Sequence, residues 1–162
     1  MKSTKKITYL GIGIALYIVL SFTVKIPLFN RIKTDLGYIV FGAYCNLFGP
    51  LGTVVGVIGC IAGNLLAGGS FPLAWAIGQA FIGFFAGALI PKTNNLWIKL
   101  GITVIAVLIG IAGIKTVLES VLFRIPLAVR FASNIVAFAA DAVPMMIGVW
   151  MSERLSKKGI LR

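Results

Sequence analysis

Asn64, Trp75, Gln79, Glu119, Arg130, Asn134 and Asp141 are the side chains of this chain whose type and placement suit binding chemistry. All lie in or beside long apolar runs. Amide and ionisable groups at such positions are costly in a bilayer and usually face a cavity or a partner. Amides and carboxylates pair with the edge of a polar ring, and Trp75, with Phe71, Phe81 and Phe123, offers stacking surface. Asn134 and Asp141 are seven residues apart, two helical turns, and so share a face. A plainer reading stands beside this one. Asn64 or Gln79 alone also fits an interhelical hydrogen bond worth ~0.6 kcal/mol in lipid. Lys115 and Glu119, spaced i,i+4, also fit mutual neutralisation. Asp141 has no basic neighbour in its own run.

Other chemistry is poorly supported. The chain has no histidine, the commonest metal ligand and general base. Its two cysteines, Cys45 and Cys60, sit inside apolar runs and read as small hydrophobes rather than a disulfide framework or a metal site. No phosphate-cradling G-x-x-x-x-G-K-[ST] loop is present, and no acidic cluster suggests carboxylate or metal catalysis. The expectation is a non-enzyme with no cofactor and no metal. Scattered polar groups gathered toward one side also differ from the polar rings of a channel.

The elements that must position these residues are membrane spans. Hydrophobic residues make up 59% of the 162-residue chain and charged residues 12%, about half the share of a soluble domain. Mean hydropathy is +1.04. The net charge of +11 comes from basic residues flanking apolar runs, which argues against nucleic acid as a partner. The run after Lys2, Lys5 and Lys6 is too long for a signal peptide core and lacks a cleavage signature, so it reads as a retained span.

Runs at about 7–24, 72–90, 96–118 and 130–151 each match a ~20-residue transmembrane helix. The stretch 36–69 would be about 50 Å long as one helix, and its "NLFGPLG" marks a turn, so it divides into spans at 36–49 and 51–69. The expected fold is an all-α, six-span bundle forming one substrate-binding domain over residues 1–162, with both termini cytoplasmic. That topology puts Lys2, Lys5, Lys6, Lys92, Lys99, Arg154, Lys157, Lys158 and Arg162 inside, and Lys25, Arg31, Lys33, Lys115, Arg124 and Arg130 outside. The outer connections "KIPLFNRIKTD" and "ESVLFRIPLAVR" are long and mixed in character. They fit either a binding rim or loops whose basic residues contact lipid headgroups.

Gly11 and Ala15, in "YLGIGIALYIVLS", form a small-x-x-x-small pair on one face of the first span. Similar pairs at Gly52/Gly56, Gly59/Gly63, Ala76/Ala80 and Gly83/Gly87 fit internal packing. The stretches "IGIALYIVLS", "FGAYCNLFGPLGTVVGVIGCIAGNLLAGG" and "FPLAWAIGQAFIGFFAGALIP", with the size and span count, resemble the substrate-binding S component of energy-coupling factor (ECF) transporters. The resemblance implies a membrane subunit that binds a vitamin in an outward-facing pocket. It implies as partners the lipid bilayer, a transmembrane coupling subunit and two ATP-binding cassette ATPases, in a prokaryotic cell membrane. It implies that Gly11 and Ala15, where the family usually carries Ala-x-x-x-Ala, contact the coupling subunit. It also implies pocket regions around Asn30–Asp35, Gly69–Gln79, Lys115–Arg130 and Asn134–Asp141. Excess outer basic charge suits an anionic ligand such as a folate or pantothenate. Asp141, Glu119 and the amides suit a nitrogen-rich ring, such as a pterin or a queuosine precursor. The competing expectation is a self-contained small secondary transporter or channel.

Overall fold

A computed structural model describes residues 3–23, 25–29 and 32–159. Asn30, Val24 and the side chains of Lys2, Lys25, Arg31, Lys33 and Arg162 lie outside the described residues. The fold is helical: α1 (Ser3–Thr23), α2 (Gly37–Phe48), α3 (Gly52–Leu66), α4 (Leu73–Leu89), α5 (Leu96–Val107), α6 (Thr116–Phe123) and α7 (Leu127–Lys157). One segment departs from the all-α expectation. Strands β1 (Lys25–Phe29) and β2 (Ile32–Asp35) pair antiparallel within the first long connection.

Among the described residues, five stretches are long and apolar enough to cross a membrane: Thr4–Phe22, Gly37–Leu66, Leu73–Lys92, Leu96–Phe123 and Leu127–Lys157. The second contains the Gly-Pro turn, which takes the form of one 3-10 turn at Gly49–Leu51, with Gly49 at φ +62°. Gly52 abuts the Cys45 backbone and Gly56 abuts the Phe41 ring, where a Cβ would approach to 2.7 and 2.5 Å. Contacts that close between 45 and 52, and between 41 and 56, place α3 back along α2. The proline removes an N–H and pushes its predecessor out of helix, which is why the reversal falls there.

α5 and α6 are joined by a π-helical stretch, Leu108–Lys115, so the helical run continues to Phe123 rather than ending near Leu118. The expected long loop at "ESVLFRIPLAVR" is therefore largely helix, and α6 and α7 are separated only by Arg124–Pro126. Arg124, at φ +54°, closes α6 in the left-handed region, and Pro126 precedes the first turn of α7.

Packing is backbone-close where α2 meets α7. A Cβ at Gly42 would meet the Met145 carbonyl, and one at Gly148 the Ile39 carbonyl. Small residues at such contacts let helices approach in the absence of a hydrophobic driving force from lipid. The core is apolar, with Tyr17, Tyr38, Phe41, Val55, Ile82, Ile111, Met145 and Val149 fully enclosed. Large apolar side chains are exposed on every helix except α2, among them Ile7, Ile58, Phe84, Trp97, Val121 and Ile147. A patch this extensive on a monomer marks a membrane-facing surface.

Lys99 lies in α5 and is 6% exposed. Its Nζ lies 2.7 Å from Glu153 Oε2 and donates to Asn46 Oδ1 at 2.9 Å, while Asn46 Nδ2 donates to Ser152 Oγ at 3.0 Å. This network ties α2, α5 and α7 at the end of the bundle that also carries Arg154 and Lys157.

Candidate functional site

A cavity of about 250 Å³ opens at the other end of the bundle. Five elements line it. α1 supplies Tyr17, Ser21 and Phe22; β2 supplies Thr34 and Asp35; α3 supplies Cys60, Gly63 and Asn64; α4 supplies Trp75 and Gln79; α7 supplies Asp141. Each is placed by local structure. α3 ends in a Schellman turn, with Gly68 at φ +74°, Gly68 N–H donating to the Leu65 carbonyl and Gly69 N–H to the Asn64 carbonyl, both at 3.0 Å. That turn holds Asn64 at the rim. Gly63 leaves space: a Cβ there meets nothing within 4 Å.

Two of the chain's four acidic residues meet at this cavity. Asp35 accepts from Ser21 Oγ at 2.6 Å, from the Gly37 N–H at 2.8 Å and from the Tyr17 hydroxyl at 3.2 Å. Its own N–H points to Asp141 Oδ1 at 3.4 Å, joining β2 to α7 across 106 residues of sequence. Asp141 is 3% exposed. Gln79 donates to the Tyr17 oxygen at 2.9 Å and to the Tyr38 oxygen at 3.5 Å.

Of the residues expected at the site, Asn64, Trp75, Gln79 and Asp141 line the cavity. Glu119, Arg130 and Asn134 do not. Glu119 and Asn134 form a buried layer behind Trp75. Lys115 Nζ is 3.0 Å from Glu119 Oε1 and donates to Asn134 Oδ1. Asn134 Nδ2 donates to Glu119 Oε2 and to Thr116 Oγ1, both at 3.0 Å. The Lys115 ammonium also sits 4.2 Å from the centroid of the Trp75 ring. Their polar atoms are spent on one another. The π stretch sets this arrangement, because its wider turn re-phases the residues that follow it. Thr116 Oγ1 bonds the Ile111 carbonyl five residues back at 3.0 Å, in keeping with that register.

Arg130 lies with its guanidinium carbon 5.8 Å from the Phe123 ring centroid, away from the cavity. Of the expected aromatic surface, Phe71 and Phe123 are exposed and Phe81 stacks on Phe85 at 5.6 Å. None of the three lines the cavity; Phe22 does. Sequence reasoning missed Tyr17, Ser21, Phe22 and Cys60. Thr34 and Asp35 lie in the connection read as a possible binding rim and in the region that the resemblance implied.

A family model described as "ECF-type riboflavin transporter, S component" matches residues 1–154. The chain belongs to this S-component family. A crystal structure of the S component for biotin from an ECF-type ABC transporter superposes with a TM-score of 0.70 at 25% identity, covering 97% of this chain and 95% of that one. A UPF0397 protein of Streptococcus thermophilus is 25% identical over 157 residues, 90% of this chain and 86% of the relative. A UPF0397 protein of Lactococcus lactis subsp. cremoris is 31% identical over 87 residues, 52% of this chain and 48% of its own. The S component is thus a multi-pass membrane protein of a bacterial type, the binding subunit of a transporter and not an enzyme. In such a transporter it works with a transmembrane coupling subunit and ATPases.

Proposed function

We propose that this S component captures a small, flat, nitrogen-containing vitamin from outside the cell, with riboflavin the first compound to test. The observation that carries this reading is the cavity, where the Trp75 ring and the carboxylates of Asp35 and Asp141 line one space. An aromatic face with hydrogen-bond acceptors around it suits a heterocycle that stacks and donates N–H groups. The family description names riboflavin and the structural neighbour binds biotin, both compact ring systems with N–H groups.

The reading includes six spans with both termini cytoplasmic. α2 and α3 count separately because they run back along one another. Lys6, Gly49, Pro50, Pro91 and Lys92 line a single groove, so one end of the bundle gathers these basic residues. Basic ends stay cytoplasmic, which turns the cavity outward. Docking of the coupling subunit belongs to the α1 face carrying Gly11 and Ala15.

Native mass spectrometry of the purified protein should show a retained small molecule, and added riboflavin should lose fluorescence on binding. Absence of both would sink the vitamin reading. Uptake by vesicles holding this chain alone would favour a self-contained transporter instead. Gly63→Phe locates the site. The side chain enters open space, so the thermal midpoint should hold while riboflavin affinity falls by roughly 100-fold or more from steric filling. Unchanged affinity would place the site elsewhere.

A further inference from the structure

The amide of Gln79 is held in one orientation by a chain of hydrogen bonds that begins at a carboxylate. Asp35 accepts the Tyr17 hydroxyl proton at 3.2 Å. With its proton committed, the Tyr17 oxygen is left as an acceptor, and it takes an N–H of Gln79 at 2.9 Å. The Tyr38 oxygen takes the other side-chain N–H at 3.5 Å. The amide nitrogen therefore faces the tyrosines, and the carbonyl oxygen is turned away from them. Which end of an amide is oxygen follows from such a network. Gln79 is 1% exposed, lines the cavity, and its Oε1 accepts from no donor among the described residues. A buried acceptor without a donor is costly. The wall it belongs to also carries Asp141, a second acceptor, at 3% exposure.

We infer that Gln79 is a specificity-determining residue. Its Oε1 accepts an N–H from the ring of the bound vitamin, Asp141 provides a neighbouring acceptor, and Tyr17 is a positioning residue that keeps the amide from turning over. The site thereby selects heterocycles that present a ring N–H, of ureido, imide or amidine type, and disfavours the same rings with that nitrogen alkylated. The inference rests on the vitamin-binding reading above and specifies which chemical edge of the ligand is recognised. A site built around a buried polar group rejects the analogue that leaves the group unpaired.

Matched probes test it: riboflavin against 3-methylriboflavin, and biotin against its ureido-N-methylated derivative. For whichever parent binds, the methylated partner should bind roughly tenfold or more weakly to the wild-type protein. That preference should shrink to within about twofold in Gln79→Leu, and Tyr17→Phe should reduce it while leaving the cavity in place. Gln79 is the only glutamine in the chain, so protein labelled with [δ-13C]glutamine gives one side-chain carbonyl signal in an infrared difference spectrum. Binding of the parent should move that band to lower frequency, a change that loss of packing would not mimic. Equal binding of parent and methylated probe, or a band unmoved by a bound parent, overturns the inference and leaves the vitamin reading intact. Binding of neither parent overturns both.

Discussion

Replacing Gly11 with tryptophan is expected to leave riboflavin binding by the isolated chain within about twofold of wild type, while uptake by the assembled transporter falls by roughly 100-fold. The first helix presents two kinds of small residue. Gly13 faces inward, where a Cβ would come within 2.5 Å of the Tyr44 ring. That ring is itself fixed by its hydroxyl donating to the Tyr9 carbonyl at 2.8 Å. Gly11 faces outward, with nothing within 4 Å of a Cβ, and Ala15 one turn on is exposed beside Ile12 and Leu16. A tryptophan at 11 therefore meets lipid in the isolated chain at little cost. It also fills the shallow strip that lets another helix come close, and close approach is what holds helices together in a bilayer. Gly13→Trp is the internal control. It overpacks α1 against α2 and should destabilise the fold by about 1–3 kcal/mol before any effect on assembly. Pull-down of the coupling module and vesicle uptake check the contrast. Retained assembly with Gly11→Trp, or loss of ligand binding, would remove α1 from the docking surface.

The long helices were legible because each is an apolar run of bilayer length, and the Gly49-Pro50 reversal because proline chemistry is local. The course of the chain from Lys115 to Arg130 was not. Lys115 and Glu119 read as the outer end of a span because charge is costly in lipid. That cost is offset by their pairing and by Asn134, a partner from α7 that no local pattern announces. The π stretch is invisible for the same reason: an extra residue per turn leaves no mark in an all-apolar sequence. The β1–β2 pairing was hidden too, because Pro27 and the charges of "KIPLFNRIKTD" are turn signals as much as strand residues.

At the cavity, the polar residues within apolar runs were visible as anomalies, and of those singled out Asn64, Trp75, Gln79 and Asp141 line it. Tyr17, Ser21 and Cys60 were not, because residues of these types in a span pass as packing. Asp35 is fixed at the cavity wall by tertiary contacts. Its carboxylate caps the Gly37 N–H, engages α1 through Tyr17 and Ser21, and its N–H reaches Asp141. Polarity singled out residues that line the cavity together with residues packed beside it. It could not separate groups that line the cavity from groups, such as Glu119 and Asn134, whose bonds are satisfied one shell behind it.

That separation has a measurable consequence at Lys115. Lys115→Met should lower stability by about 3–5 kcal/mol, the usual cost of removing one member of a buried ion pair. The methionine fills the space, but the Glu119 carboxylate is left enclosed with the Asn134 N–H as its one bonding partner among the described residues. Removing both charges, as in Lys115→Met with Glu119→Leu, should return most of that stability, because a buried pair replaced by apolar groups is often neutral or better. Ligand affinity is expected to behave differently. Lys115 also supports the face of Trp75, its ammonium 4.2 Å from the ring centroid, a contact worth ~0.5–2 kcal/mol. The double variant lacks that support, so it should unfold near the wild-type temperature and still bind riboflavin several-fold more weakly, with a shifted Trp emission. Thermal unfolding in detergent and flavin titration read the two effects separately. A double variant that regains both stability and affinity would show that Trp75 holds its place without Lys115. A single variant as stable as wild type would show that Glu119 does not depend on its partner. If stability returns and affinity does not, the buried layer acts on the vitamin through the tryptophan it supports.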